Sequence, residues 1–286
     1  MENRGRSVTA DGVAIQRALH QMHDAAPKIL DDPIAPLLLD LESDSNKASI
    51  AAIESITHAV KSPFRAVFIM RSRYTEDCLA ESLVRGVRQY VILGAGLDTF
   101  AYRQPAWGGS LQIYEVDHPA SQEGKRERLE EAKVRIPGNL TFAPIDFETT
   151  SLRQGLSNAG FDSRTPSFFS LLGVSQYLTA EAVESIFGFV QSMPKGSELA
   201  SEFIVPDDLM PADEARVFRA IASFAAERGE PWLTRLQPEK LRARLTSLGF
   251  SQVYHLSPQA ANERYFQGRS DDLTAWSGAQ MMRAIV

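Results

Sequence analysis

The chain has 286 residues with a hydrophobic fraction of 44% and a charged fraction of 23%, the composition of an ordinary folded core and not of a disordered or fibrous chain. The net charge of -6 argues against a nucleic-acid partner, which needs a clustered basic surface. Cys78 is the sole cysteine, so an intrachain disulfide is excluded; residues 1–6 are polar, and no apolar run approaches the roughly 20 residues that span a bilayer, so a cytoplasmic protein without membrane contact is expected.

In chain order, the first signal is helical: Val13, Ile15, Ala18, Leu19 and Met22 recur near helical spacing. Asp31-Asp32-Pro33 opens a short apolar stretch ending at Leu39, and the polar segment 43–51 reads as a loop or a helix start. Ser62-Pro63 has the form of an N-cap followed by proline in the first turn. The helix it predicts runs to about Val84 and carries arginines at 65, 71 and 73, with Arg85 just beyond, a pattern that ordinarily marks a solvated face. Cys78 within it reads as a small core residue. From Tyr90 the texture changes. Strands are predicted at 90–93, 111–116, 140–144, 167–174 and 198–205, with a charged helix at 118–134 and a helix at 179–192 capped by Thr179. This alternation predicts a parallel sheet with helices on both faces. A helical insertion at 207–228, a helix at 238–248 closed by Gly249, and two candidate strands at 251–256 and 279–286 complete the reading.

Three features fall at the C-terminal ends of successive predicted strands, where open parallel sheets bind ligands. The first is Val91-Ile92-Leu93-Gly94-Ala95-Gly96, in which the glycines permit a tight turn and let the backbone approach a nucleoside closely. The second, about 20 residues on, is Glu115-Val116-Asp117, where a carboxylate can accept from two ribose hydroxyls. The third is Asp146-Phe147: a carboxylate for the exocyclic amine of adenine and a ring for its face. Nicotinamide enzymes share the first two. Here Thr99 replaces the third glycine of the dinucleotide fingerprint, and the glycine strand follows a long helical preamble. Both points favour methyl transfer from S-adenosylmethionine, with a nicotinamide-dependent oxidoreductase as the rival reading.

The run Gly94-Ala95-Gly96-Leu97-Asp98-Thr99-Phe100-Ala101-Tyr102-Arg103 resembles the signature of the leucine carboxyl methyltransferase family. Tyr114-Glu115-Val116-Asp117-His118-Pro119, with Lys125 following, is similar to its second motif, and Gly173-Val174-Ser175-Gln176-Tyr177-Leu178-Thr179 to its later Gly-Val-x-x-Tyr-Leu-Thr segment. Arg17-Ala18 with Asp32-Pro33, and Arg71-Ser72-Arg73-Tyr74, match its N-terminal elements; Tyr265-Phe266 with Gly268-Arg269 fits the tail of some bacterial members. The resemblance implies an α/β class I methyltransferase with a Rossmann-like sheet, a helical cap over residues 1–88, and a core over 89–286 with an insertion at about 207–235. It implies that Gly94, Ala95 and Gly96 lie along the cofactor, that Asp117 binds ribose, and that Asp146 and Phe147 hold adenine. Arg71 aligns with the arginine that grips the methionine carboxylate, Arg73 stands next in line, and Arg17 aligns with a second cationic contact. Asp98 is expected to cap the helix after the glycine turn.

Many members carry glutamate facing the cofactor just before the Gly-Val segment. Here that position is Leu172, which cannot accept the polar contact, so the pocket is expected to differ. Tyr177 is the candidate for lining the catalytic cleft. His118 and His255 are possible bases that read better as structural, and one cysteine with five scattered histidines shows no zinc spacing. The function implied is O-methylation of a carboxyl or hydroxyl group on a small molecule, of the kind found in secondary metabolism. A cofactor-binding protein without activity is a third reading, motivated by Leu172. Phe218, Phe224 and Trp232 either cover an apolar substrate or pack the insertion onto the core.

Overall fold

The computed structural model describes residues 8–58, 60–146 and 150–286. Its strands are β1 (Gln89–Leu93), β2 (Gln112–Asp117), β3 (Leu140–Pro144), β4 (Ser167–Leu171), β5 (Glu198–Ile204), β6 (Gln252–Leu256) and β7 (Ala279–Ile285). They form one sheet in the order β3-β2-β1-β4-β5-β7-β6. The first five are parallel, as expected from the βα alternation. Only β7 departs from that expectation: it runs antiparallel between β5 and β6, so β6 keeps the direction of the first five. Every residue of β1, β4 and β5 is buried, the pattern of strands covered on both faces.

Helices α1 (Val8–His23), α2 (Asp44–Thr57) and α3 (Arg65–Val84) precede the sheet. Helices α4 (Pro119–Glu131), α5 (Leu152–Asn158) and α6 (Ala180–Gln191) connect its parallel strands, and α7 (Ala212–Ala226), α8 (Pro238–Leu248) and α9 (Pro258–Ala261) follow β5. Local chemistry explains most of the boundaries. Ser43, Ser151 and Thr179 each accept a hydrogen bond from a backbone amide three residues on. Gly249 ends α8 in the left-handed conformation at φ 106°. His118 caps α4 through its ring nitrogen, which accepts from Ala120 N at 3.3 Å. Ser62 does not cap α3. Its hydroxyl instead donates to Thr274 O and accepts from Thr274 N, both at 2.9 Å, tying the approach to α3 to the segment before β7.

Three of the four arginines of the α3 region are turned to buried acids, and Arg73 alone of the four is left on the solvated face. Arg65, Arg71 and Arg85 each reach a buried acid, namely Asp24, Glu202 and Glu198. Glu198 also takes Arg283, at 2.9 Å. At the start of α3, Arg65 Nε donates to both oxygens of Asp24 at 2.9 and 2.8 Å, and His20 Nδ1 lies 2.6 Å from the same carboxylate. These contacts dock the end of α1 onto α3. Burial pushes the Asp24 carboxyl up, but the hydrogen bonds from His20 and Arg65 and the Arg65 charge outweigh it and hold the group at about 2.

A carboxylate depressed in the folded state stabilises the protein above its unfolded value of 3.8, and that contribution is lost as pH falls toward about 2. Asp24→Asn is therefore expected to lower unfolding stability near neutral pH by about 1–3 kcal/mol and to flatten the acid limb in urea titrations between those two values. Cys78 is 1% exposed, and burial pushes its thiol up to about 12. It is expected to resist a disulfide-exchange reagent in native protein and to react at once in denaturant; fast modification of the native form would contradict the core position.

Candidate active site

The end of β1 turns through two residues that need glycine. Gly94 and Gly96 lie at φ 69° and 45°, and a Cβ on Gly94 would sit 2.3 Å from Val174 Cγ2. The turn is fastened to the tip of β2. Gly94 N and Ala95 N donate to Val116 O at 2.8 and 3.0 Å, and Gly96 N donates to Asp117 Oδ2 at 2.5 Å. His118 N donates to Asp117 Oδ1 at 2.7 Å. Each oxygen of Asp117 thus holds one backbone amide and keeps a lone pair for another donor, the requirement for pairing with two ribose hydroxyls. Asp98 Oδ1 accepts from Phe100 N at 2.8 Å, but in place of the expected helix there is a single 3-10 turn, Phe100–Tyr102, whose N-cap residue is Thr99 with no side-chain capping bond.

The N-terminal helices grip this turn through buried charges. Arg17 donates to the carbonyl of Leu97 and lies 3.7 Å from Asp32 and 4.0 Å from Asp98. Thr99 Oγ1 donates to Asp32 at 2.7 Å and accepts from Arg103 Nε at 3.1 Å, while Arg103 also grips Glu76 with both terminal nitrogens, at 3.2 and 2.5 Å. Thr99 stands where the dinucleotide fingerprint has its third glycine, and here its hydroxyl links the turn to the N-terminal segment. Lys125 and Glu115 form another buried pair at 2.7 Å. Burial, only partly offset by Lys125, pushes the Glu115 carboxyl up to about 7.

These elements surround a cavity of about 1400 Å³, larger than the roughly 300–1,000 Å³ of a usual single-ligand pocket. One bank is formed by strand tips: Gly94, Ala95 and Gly96 from β1, Asp117 from β2, and Ile145 and Asp146 after β3. The opposite bank is apolar: Ile53 and Ile56 of α2, Val67 and Phe68 of α3, Phe218, Ile221 and Phe224 of α7, and Trp232. Between them, at the tips of β4 and β5, lie Leu172, Gly173, Tyr177 and Glu202. There Arg71 donates through Nη1 to Glu202 at 2.5 Å. Its guanidinium rests on Gly173, where a Cβ would meet the two terminal nitrogens at 2.8 and 2.9 Å, with the Phe68 ring centroid 5.0 Å away. Burial pushes the Glu202 carboxyl up and the Arg71 charge opposes it. The first turns of α1 reach both sides: Asp11 pairs with Arg128 of α4 at 2.8 Å, and Thr9 donates to Glu230 at 2.7 Å.

The structure brings Arg17, Arg71, Gly94, Ala95, Gly96, Asp117, Asp146, Leu172 and Tyr177 to this cavity. It does not bring Arg73, which is exposed and turned to Asp77 at 2.8 Å and to the carbonyl of Ile29 at 3.3 Å. Phe147 lies outside the described residues. Glu202 and Gln176 were not singled out from sequence as site residues; an acid inside the apolar run Leu199–Ile204 was the available sign of the first. Arg17 Nε, Arg128 Nη1, Gln176 Oε1 and Trp232 Nε1 are buried without a hydrogen-bond partner among the described residues, and all four side chains line the cavity. The glycine turn, free of side chains at 94 and 96, and Asp117, whose two oxygens each keep a lone pair, fit an adenosyl amino acid.

The profile of the family "Leucine carboxyl methyltransferase" matches residues 10–191. The protein named "Putative S-adenosyl-L-methionine-dependent methyltransferase YktD" of Bacillus subtilis (strain 168) is 33% identical over 304 residues, covering 100% of this chain and 99% of that one. A "Putative S-adenosyl-L-methionine-dependent methyltransferase" of Mycobacterium avium (strain 104) is 31% identical over 224 residues, covering 76% of this chain and 72% of that one. Among solved structures, one described as a "putative methyltransferase" from Thermobifida fusca YX has a TM-score of 0.60 at 17% identity, covering 99% of this chain and 96% of that one. A DUF574 family protein from Streptomyces avermitilis MA-4680 has a TM-score of 0.55 at 17% identity, with 96% of each chain covered, and at such identity these two likenesses attest the fold. The sequence matches set aside the nicotinamide reading of the glycine turn. The chain belongs to the leucine carboxyl methyltransferase family and is a methyltransferase with S-adenosylmethionine as its methyl donor.

Proposed function

We propose that the enzyme methylates a carboxyl or hydroxyl oxygen of an apolar, ring-sized small molecule. The observation that carries this reading is the aromatic lining that α3, α7 and the segment after it bring to the cavity, Phe68, Phe218, Phe224 and Trp232, with the Phe218 and Trp232 rings 6.1 Å apart. In this reading Asp117 takes the ribose hydroxyls, Asp146 the adenine amine, and Arg71 the methionine carboxylate. Bound there, S-adenosylmethionine supplies a methyl group already activated by its sulfonium. The protein's task is to align an acceptor oxygen and to keep water out, which orientation and burial accomplish without a covalent intermediate. Tyr177, half-buried at the tip of β4, is assigned to orienting the acceptor oxygen.

A carboxylate is charged at neutral pH and needs no base, whereas an alcohol or phenol does. Among the candidate bases, His118 lines the cavity while its Nδ1 caps α4, and His255 is bonded to Gln280 at 2.7 Å on the β6–β7 pair.

Incubation with radiolabelled S-adenosylmethionine and a panel of aromatic carboxylic acids with the matching phenols, amines and thiols tests this. Base-labile methyl esters from the acids or base-stable methyl ethers from the phenols are expected; transfer confined to amines or thiols would overturn it. Asp117→Ala is expected to weaken S-adenosylhomocysteine binding by about 1–3 kcal/mol, the scale of charged hydrogen bonds. Calorimetry showing unchanged affinity would remove the ribose role. Tyr177→Phe is expected to lower turnover about tenfold, roughly 1.4 kcal/mol of barrier, while leaving that affinity intact.

A further inference from the structure

The methionine end of the donor is a zwitterion, and a lone arginine matches only half of it. An ammonium drawn out of water into a cavity wall needs an acceptor, ideally an anionic one, or its desolvation goes uncompensated. Arg71 does not stand alone. Glu202 lies 2.5 Å from its Nη1, and both side chains are more than nine-tenths buried while lining the cavity. The guanidinium is fixed between the Phe68 ring and Gly173, and the backbone of Gly173 also hydrogen-bonds the Glu202 carboxylate. A fixed cation and a fixed anion therefore stand side by side at the tips of β4 and β5.

We propose that Glu202 receives the α-ammonium of the methionine portion beside Arg71, which receives its carboxylate. This deepens the assignment of Arg71 above and rests on it. Register explains why the acid sits on β5. Glu202 follows Ser201, the partner of Leu171 at the end of β4, so its carboxylate stands beside the segment leaving β4, where the backbone of Gly173 bonds it. The apolar side chain at 172 leaves the tip of β4 without a carboxylate, and the adjacent strand supplies one. Arg71 keeps donors beyond the Nη1 contact, and Glu202 keeps lone pairs beyond those used by Arg71 and Gly173, so the pair can meet the zwitterion without first coming apart.

Calorimetry with three ligands tests the proposal: S-adenosylhomocysteine, its des-amino analogue S-adenosyl-4-thiobutyrate, and 5′-methylthioadenosine, which lacks the whole amino-acid head. Wild-type protein is expected to bind the des-amino analogue about tenfold or more weakly than the parent, the range of a charged hydrogen bond. Glu202→Gln is expected to weaken S-adenosylhomocysteine by a similar factor while changing the other two by less than about twofold, because their missing ammonium already forfeits the contact. Equal weakening of all three ligands would mark Glu202 as a structural partner of Arg71 and overturn the proposal. So would wild-type protein that binds the parent and des-amino compounds alike, a comparison that decides the matter even if the variant fails to fold. Wild-type protein that binds 5′-methylthioadenosine but gains nothing from the amino-acid head would instead refute the Arg71 assignment, and the ammonium site with it.

Discussion

The tip of β1 is pinned to the tip of β2, and the cofactor bank depends on that fastening. Three consecutive amides, from Gly94 to Gly96, are spent on Val116 O and Asp117 Oδ2. The turn is thereby held open and left-handed, and the same contact aims Asp117. One carboxylate supports the backbone and, in the function proposed above, takes the ribose, so in that reading loop geometry and ribose recognition cannot be varied separately. The close passage of Gly94 against Val174 then joins the tip of β4 to the same assembly.

Buried ion pairs carry the N-terminal helices onto this frame. Asp24 with Arg65, Asp32 with Arg17 and Arg103, Glu76 with Arg103, and Glu202 with Arg71 all join segments distant in sequence. Such pairs add little net stability, because desolvation offsets their attraction, yet breaking one leaves an uncompensated charge. Their effect is to define one seating of α1 and α3 on the sheet. Hydrophobic packing alone would tolerate small slides of those helices; a guanidinium that must meet the carbonyl of Leu97 and the acid at 32 tolerates less.

Much of this was legible in the chain because it is locally encoded. Strands β1 to β5, the glycine turn, the Thr179 cap and the Gly249 stop each have a signal within a few residues. What escaped depends on distant partners. The hydroxyl of Ser62 has the form of a cap but meets Thr274. The seven residues of α5 are too few to show a period. The reversal of β7 is a property of strand order, which no local pattern states. Arg71 and Arg73 look alike in sequence, yet two residues along a helix turn the side chain by about 200°, so Arg71 meets the sheet and Arg73 faces solvent. Glu202 is 131 positions from its arginine, and in the strand it looks like an isolated acid among apolar neighbours.

The two banks of the cavity also differ in descent along the chain. The polar bank is made by strand tips and tight turns whose backbone geometry admits few alternatives. The greasy bank comes from α2, α3, α7 and Trp232, and the last two lie beyond the stretch that the family profile matches. Side chains on those helices can be exchanged without touching a single hydrogen bond of the β1–β2 fastening. If that bank seats the methyl acceptor as proposed, what this scaffold modifies can be retooled at a few helical positions while the means of delivery stays fixed.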